Sequence, residues 1–119
     1  MRGLKSGVPI LAVSLFLSAQ ASYGHAIALF TKPALHETVS GPDVAVKLRF
    51  NSRVDGKRST LILMTPAGER RILAIKEAPA GDSLASIAKG LKSGSYILRW
   101  QVLASDGHIT RGEVPFSVK

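Results

Sequence analysis

Tyr96-Ile97-Leu98-Arg99-Trp100-Gln101-Val102-Leu103-Ala104 is the stretch whose reading decides the fold. Tyr96, Leu98, Trp100, Val102 and Ala104 fall on one side; Ile97, Arg99, Gln101 and Leu103 fall on the other. A repeat of two is the signature of a strand, whose successive side chains point to opposite faces. Lys92-Ser93-Gly94 supplies a turn before it, and Asp106-Gly107-His108 interrupts the pattern after it. Val114, Phe116 and Val118 then alternate in a closing strand. Pro115 lies on the opposite face, which points toward a sheet edge because proline cannot donate to a ladder.

The same period runs upstream. In Asp43-Val44-Ala45-Val46-Lys47-Leu48-Arg49-Phe50, the apolar residues alternate with Lys47 and Arg49, as in a half-buried antiparallel strand. Ser59 to Thr65 holds a continuous apolar run, Leu61 to Met64, and reads as a strand covered on both sides, with Met64 in the core. Pro66-Ala67-Gly68-Glu69 has turn chemistry, so Arg70 to Lys76 is expected to return as a hairpin partner. Ala78 to Asp82 breaks the pattern. Ser83 to Ala88 fits a strand or one helical turn, and we read it as a strand. Short strands at this spacing, separated by turns and without internal repeats, predict an all-β domain: a small Greek-key β-barrel or sandwich, Ig-like in kind.

The chain has 119 residues, one domain's worth. It opens with Arg2 and Lys5, an apolar run from Val8 to Ala19, and small or polar residues up to Gly24. That is the layout of a secretory signal peptide. The run is shorter than the roughly 20 apolar residues a membrane span needs, and Pro9 and serines interrupt it. Ser22 and Gly24 suit cleavage before His25, giving a signal peptide at 1–24 and a mature domain at 25–119. The competing cut falls before Ala21 or Ser22. After cleavage 14 basic residues face 8 acidic ones. They are scattered, without runs or aromatic interleaving, so the charge reads as a solvated surface and not as a nucleic-acid site. No stable membrane insertion is expected after cleavage. The absence of cysteine removes disulfides and thiolate metal sites.

The mature segment holds His25, His36 and His108. Asp106 stands two residues before His108, so both can project to one side of an extended segment. Alone, Asp-Gly-His is more often a plain turn. His25 strengthens the metal reading. As the first residue it would offer its α-amine and its ring Nδ1 to one ion, and an α-amine titrates near pH 8, at roughly 7.7–8.0. Those two nitrogens, one from His108 and an oxygen from Asp106 form an N/O set suited to Cu(II) and poor for Cu(I).

Three segments carry a family resemblance: His25-Ala26-Ile27-Ala28-Leu29-Phe30-Thr31-Lys32-Pro33-Ala34, the stretch Val46 to Val54, and above all Gly94 to Val118 with its Ser-Asp-Gly-His. Over nearly all of 25–119 the chain resembles CopC-type copper-resistance proteins. The resemblance implies a small periplasmic β-barrel or sandwich that binds Cu(II) through His25, Asp106 and His108. The methionine-rich loop of some members has no counterpart here. His36 departs from the family's small Gly-containing turn and reads as an ordinary exposed loop histidine.

The expected function is therefore a binding module in the periplasm. It would sequester copper or deliver it to an inner-membrane copper transport protein, with the copper ion as its ligand and no catalysis. Two alternatives stay open. One is an exported Ig-like interaction domain whose Asp-Gly-His is only a turn. The other is a copper-dependent oxygenase, disfavoured because few aromatic residues are available to grip a polymer.

Overall fold

The computed structural model describes residues 26–77 and 80–119. The proposed signal peptide at 1–24 and His25 lie outside the described residues, as do Ala78 and Pro79. All regular structure among the described residues is strand: β1 (Ala28–Lys32), β2 (Thr38–Val39), β3 (Val44–Phe50), β4 (Val54–Met64), β5 (Arg70–Leu73), β6 (Lys76–Glu77), β7 (Ser83–Ala88), β8 (Gly94–Ala104) and β9 (Ile109–Val118). They form a β-sandwich. One sheet has four strands in the order β1-β3-β7-β6, and the other has five in the order β2-β9-β8-β4-β5.

The alternating residues behave as their period requires. Tyr96, Leu98, Trp100, Val102 and Ala104 of β8 are buried, as are Val44, Val46, Leu48 and Phe50 of β3. These two inner faces meet edge to face at Phe50 and Trp100, whose ring centroids lie 5.2 Å apart at 68°. Trp100 in turn lies over Gly112, its register partner on β9. A β-carbon at Gly112 would stand 2.3 Å from the indole Cζ2, so glycine is what lets the ring lie flat there. Val114, Phe116 and Val118 close the core from β9, and Ser83 to Ala88 is a strand paired to β3.

Several expectations need correction. The apolar run in β4 is not covered on both sides: Leu61 and Leu63 are fully buried, whereas Ile62 and Met64 are half-buried on the outer face. Met64 is thus not core. The strand is central, with β8 and β5 at its sides, yet its outer face stays partly open to solvent at Ile62 and Met64. β4 also begins earlier than expected, at Val54, with an irregular pairing to β8 between Asp55 and Thr60. The return strand stops at Leu73. Lys76 and Glu77 cross to the other sheet and pair with Ala85 and Leu84, which places the half-buried Ile75 against the core. β1 and β2, which lack a clean alternation, carry no period signal in the sequence. A register shift between Ala28 and Phe30 puts Leu29 and Phe30 out to solvent together.

Candidate metal centre

The β8–β9 connection presents Asp106 and His108 at one end of the sandwich. Ala104 N–H donates to His108 C=O (2.9 Å) and Gly107 N–H to Ala104 C=O (2.9 Å), closing a tight turn. Gly107 holds φ at +88°, a left-handed value that costs glycine nothing. Asp106 completes the turn by accepting His108 N–H on Oδ1 at 3.0 Å. Its other oxygen, Oδ2, lies 2.9 Å from His108 Nδ1. An ionised carboxylate only accepts hydrogen bonds, so in the neutral ring Nδ1 carries the proton and Nε2 the lone pair. The imidazole side chain is 62% exposed, held at its base and presented outward.

A second group of contacts brings Ala26 and Ile27, the first described residues, to the same region. Ala26 is buried in the core. Ile27 N–H donates to Asn51 Oδ1 at 2.8 Å, and Asn51 N–H donates back to Ile27 C=O at 3.0 Å. Two residues on, Arg53 C=O accepts Ser105 N–H at 3.1 Å. Two residues of extended chain span only about 7 Å. The corner between β3 and β4 therefore ties the segment following His25 and the segment preceding Asp106 to one place. Phe50 and Val54 bond Asp82 and Gly81 across the corner, at 2.8 Å each, and the Arg53 guanidinium donates to Ala80 C=O at 2.8 Å.

Of the sequence-derived candidates, Asp106 and His108 come together. His25 lies outside the described residues. His36 sits elsewhere: its N–H donates to Pro115 C=O at 2.7 Å. Pro115 is on β9, seven residues beyond His108, or roughly 24 Å along a strand rising about 3.4 Å per residue. Among the described residues no three His, Cys, Asp or Glu side chains gather into a metal cluster. Sequence reasoning missed Asn51 and Arg53, because their roles depend on partners more than twenty residues away. The only available hint was an Asn-Ser interruption between two strongly alternating strands.

A small β-sandwich with a carboxylate-held histidine displayed at one end is the class of protein that fold and site define. The chain belongs to the CopC domain family, whose model matches residues 29–119. Protein YobA of Escherichia coli K12 is 30% identical over 125 residues, covering 99% of this chain and 96% of that protein. Copper resistance protein C of Xanthomonas campestris pv. juglandis is 29% identical over 119 residues, covering 92% of each. In three dimensions the chain is similar to CopC from Methylosinus trichosporium OB3b, with a TM-score of 0.72 and 28% identity over 80% of this chain and 94% of that one.

Proposed function

We propose that the chain is exported, cleaved before His25, and works in the periplasm as a Cu(II)-binding protein that sequesters copper or hands it to an inner-membrane copper transport protein. The observation that carries this reading is the convergence on one corner. A carboxylate orients the His108 ring, and the same corner anchors the backbone that follows His25. The name of the Xanthomonas relative, a copper resistance protein, supports the choice of metal.

The donor chemistry fits copper as cargo. His108 would bind through Nε2, since Nδ1 is turned to Asp106. The arrangement in which a metal-binding histidine donates its other ring N–H to a carboxylate fixes tautomer and orientation and raises ligand basicity. His25 would add its α-amine and ring Nδ1. Asp106 has both oxygens engaged with His108, so its first task is to hold the ring, and a remaining lone pair can supply an oxygen to the ion. Nitrogen and oxygen donors without thiolate suit Cu(II) and place it above zinc in affinity. The aromatic residues favour holding an ion over gripping a polymer, because Phe50, Tyr96, Trp100 and Phe116 are buried and Phe30 alone among the described aromatic residues is exposed.

The test is a one-residue extension. A glycine placed before His25 converts the α-amine into an amide, whose proton is far harder to remove, while every side chain stays the same. Cu(II) affinity should fall by orders of magnitude, with unchanged circular dichroism. Equal affinity for the extended and the cleaved protein would refute the amine chelate. It would leave at most a side-chain site at Asp106 and His108.

A further inference from the structure

The outer face of the four-stranded sheet has an order that the copper reading does not use. Lys32 on β1 is the register partner of Lys47 on β3. Lys47 pairs with Ala85 on β7, and Ala85 pairs with Lys76 on β6. One row crossing all four strands thus carries three lysines, two of them directly opposed. Like charges in directly opposed positions destabilise a sheet, and none of the three ammonium groups has an ion-pair or hydrogen-bond partner among the described residues. Arg49, one step along β3, has only Asp82 at 3.7 Å on the rim. The opposite outer face differs: there Arg99 is bound to Glu113 at 2.7 Å and Arg111 to Gln101 at 2.7 Å.

Apolar side chains bracket the lysine row. Phe30 pairs with Arg49 and is 49% exposed, while Ile87, paired with Ala45, is 57% exposed. A basic row some three strand spacings wide, roughly 14 Å, flanked by protruding apolar groups, matches an anionic interface of charged headgroups over an apolar layer. Lysine is a flexible point charge, whereas arginine's planar fork suits fixed bidentate carboxylate partners. A row built of lysine therefore favours a fluid lipid surface over a shaped acidic protein.

We infer that this face docks the mature protein reversibly on anionic lipid headgroups. It rests on the export reading for access to a membrane but not on the copper site, and it is read without metal, so either can fail alone. The experiment is flotation of the cleaved protein with vesicles of equal phosphatidylglycerol and phosphatidylcholine, beside vesicles of phosphatidylcholine only. Binding is expected to the anionic vesicles alone and to fall as salt rises. Losing three lysines at about fivefold each removes about 100-fold, and the combined Lys32→Glu, Lys47→Glu and Lys76→Glu variant, which also reverses each charge, should lose at least that in partitioning. A control carrying Arg70→Glu, Lys92→Glu and Lys119→Glu has the same net charge and should retain most binding. Phe30→Ser with Ile87→Ser should weaken binding and leave its salt dependence. Equal losses in the two triple variants would reduce the effect to net charge and overturn the proposal. So would a wild type that ignores anionic vesicles but binds polyglutamate through the same lysines, which would assign the face to an acidic protein.

Discussion

In the proposed copper site, His108 and Asp106 divide one task between two side chains. The ring supplies a lone pair, and the carboxylate determines which nitrogen carries it and where it points. His108→Ala should accordingly remove most Cu(II) affinity in a competition titration, with little change in melting, since the ring is largely in solvent. Asp106→Asn should cost about 10- to 100-fold, the usual effect of losing a carboxylate that orients a ligand. Two variants that bind like the wild type would reduce Asp-Gly-His to a turn. Asn51 acts at one remove. Its side chain accepts Ile27 N–H, so Asn51→Ala frees one of the two backbone bonds that anchor the segment after His25. The lost bond is worth about 1 kcal/mol, and the expected loss of Cu(II) affinity is several-fold, with altered Cu(II) electron paramagnetic resonance parameters. Asn51→Asp, which keeps the acceptor, should restore binding. Wild-type spectra and affinity in Asn51→Ala would separate the corner from the site.

The β8–β9 hairpin is the element that both fills the core and carries the candidate site. Its inner face holds Trp100 against Phe50, and its tip is the Asp106-Gly107-His108 turn. Gly112 permits this by leaving the indole room. Gly112→Ala should force the indole off its place, costing about 1–3 kcal/mol as overpacking does. In a domain of this size each kcal/mol lowers the melting temperature by about 4–8 °C. Near-UV circular dichroism should show the disturbed tryptophan, and an unchanged melt would mean that the core yields more easily than its packing indicates. Much of this hairpin is legible in the sequence, because alternation over the nine residues Tyr96 to Ala104 of β8 is a local signal. The path of β5 into β6 is not. Leu73 to Lys76 keeps a strand-like composition while the chain changes sheets, and only the contacts of Ile75 with the core and of Lys76 with Ala85 record the crossing.

Among the described residues, Met64 and His36 line one pocket, away from the Asp106-Gly107-His108 turn. Met64, the one methionine of the proposed mature chain, pairs with Ile97 on β8, nine residues from Asp106, or roughly 30 Å of strand. His36 stands by Pro115, also away from the His108 end. Neither can join His108 around one ion. Binding should therefore be strong for Cu(II) and weak for Cu(I), measured by reductive titration against a Cu(I) chelator. Affinity should also fall as pH is lowered, because protons compete with the ion for the same nitrogens. Retention of Cu(I) against the chelator would overturn this preference and point to the pocket that Met64 and His36 line together.

Alternation in β3, β8 and β9 and the turn residues between strands established an all-β domain from the sequence alone, because both are local consequences of backbone geometry. The kinds of donor were equally legible: no thiol, few methionines, and an aspartate two residues before a histidine. Tertiary structure decided the rest. It set Ile62 and Met64 outward, sent β6 to the second sheet, and turned the His108 ring onto Asp106. It also brought Ile27 and Ser105 to one corner through Asn51 and Arg53. Those facts depend on which distant strands become neighbours, and cross-strand pairing is the part of folding that no single window of sequence contains.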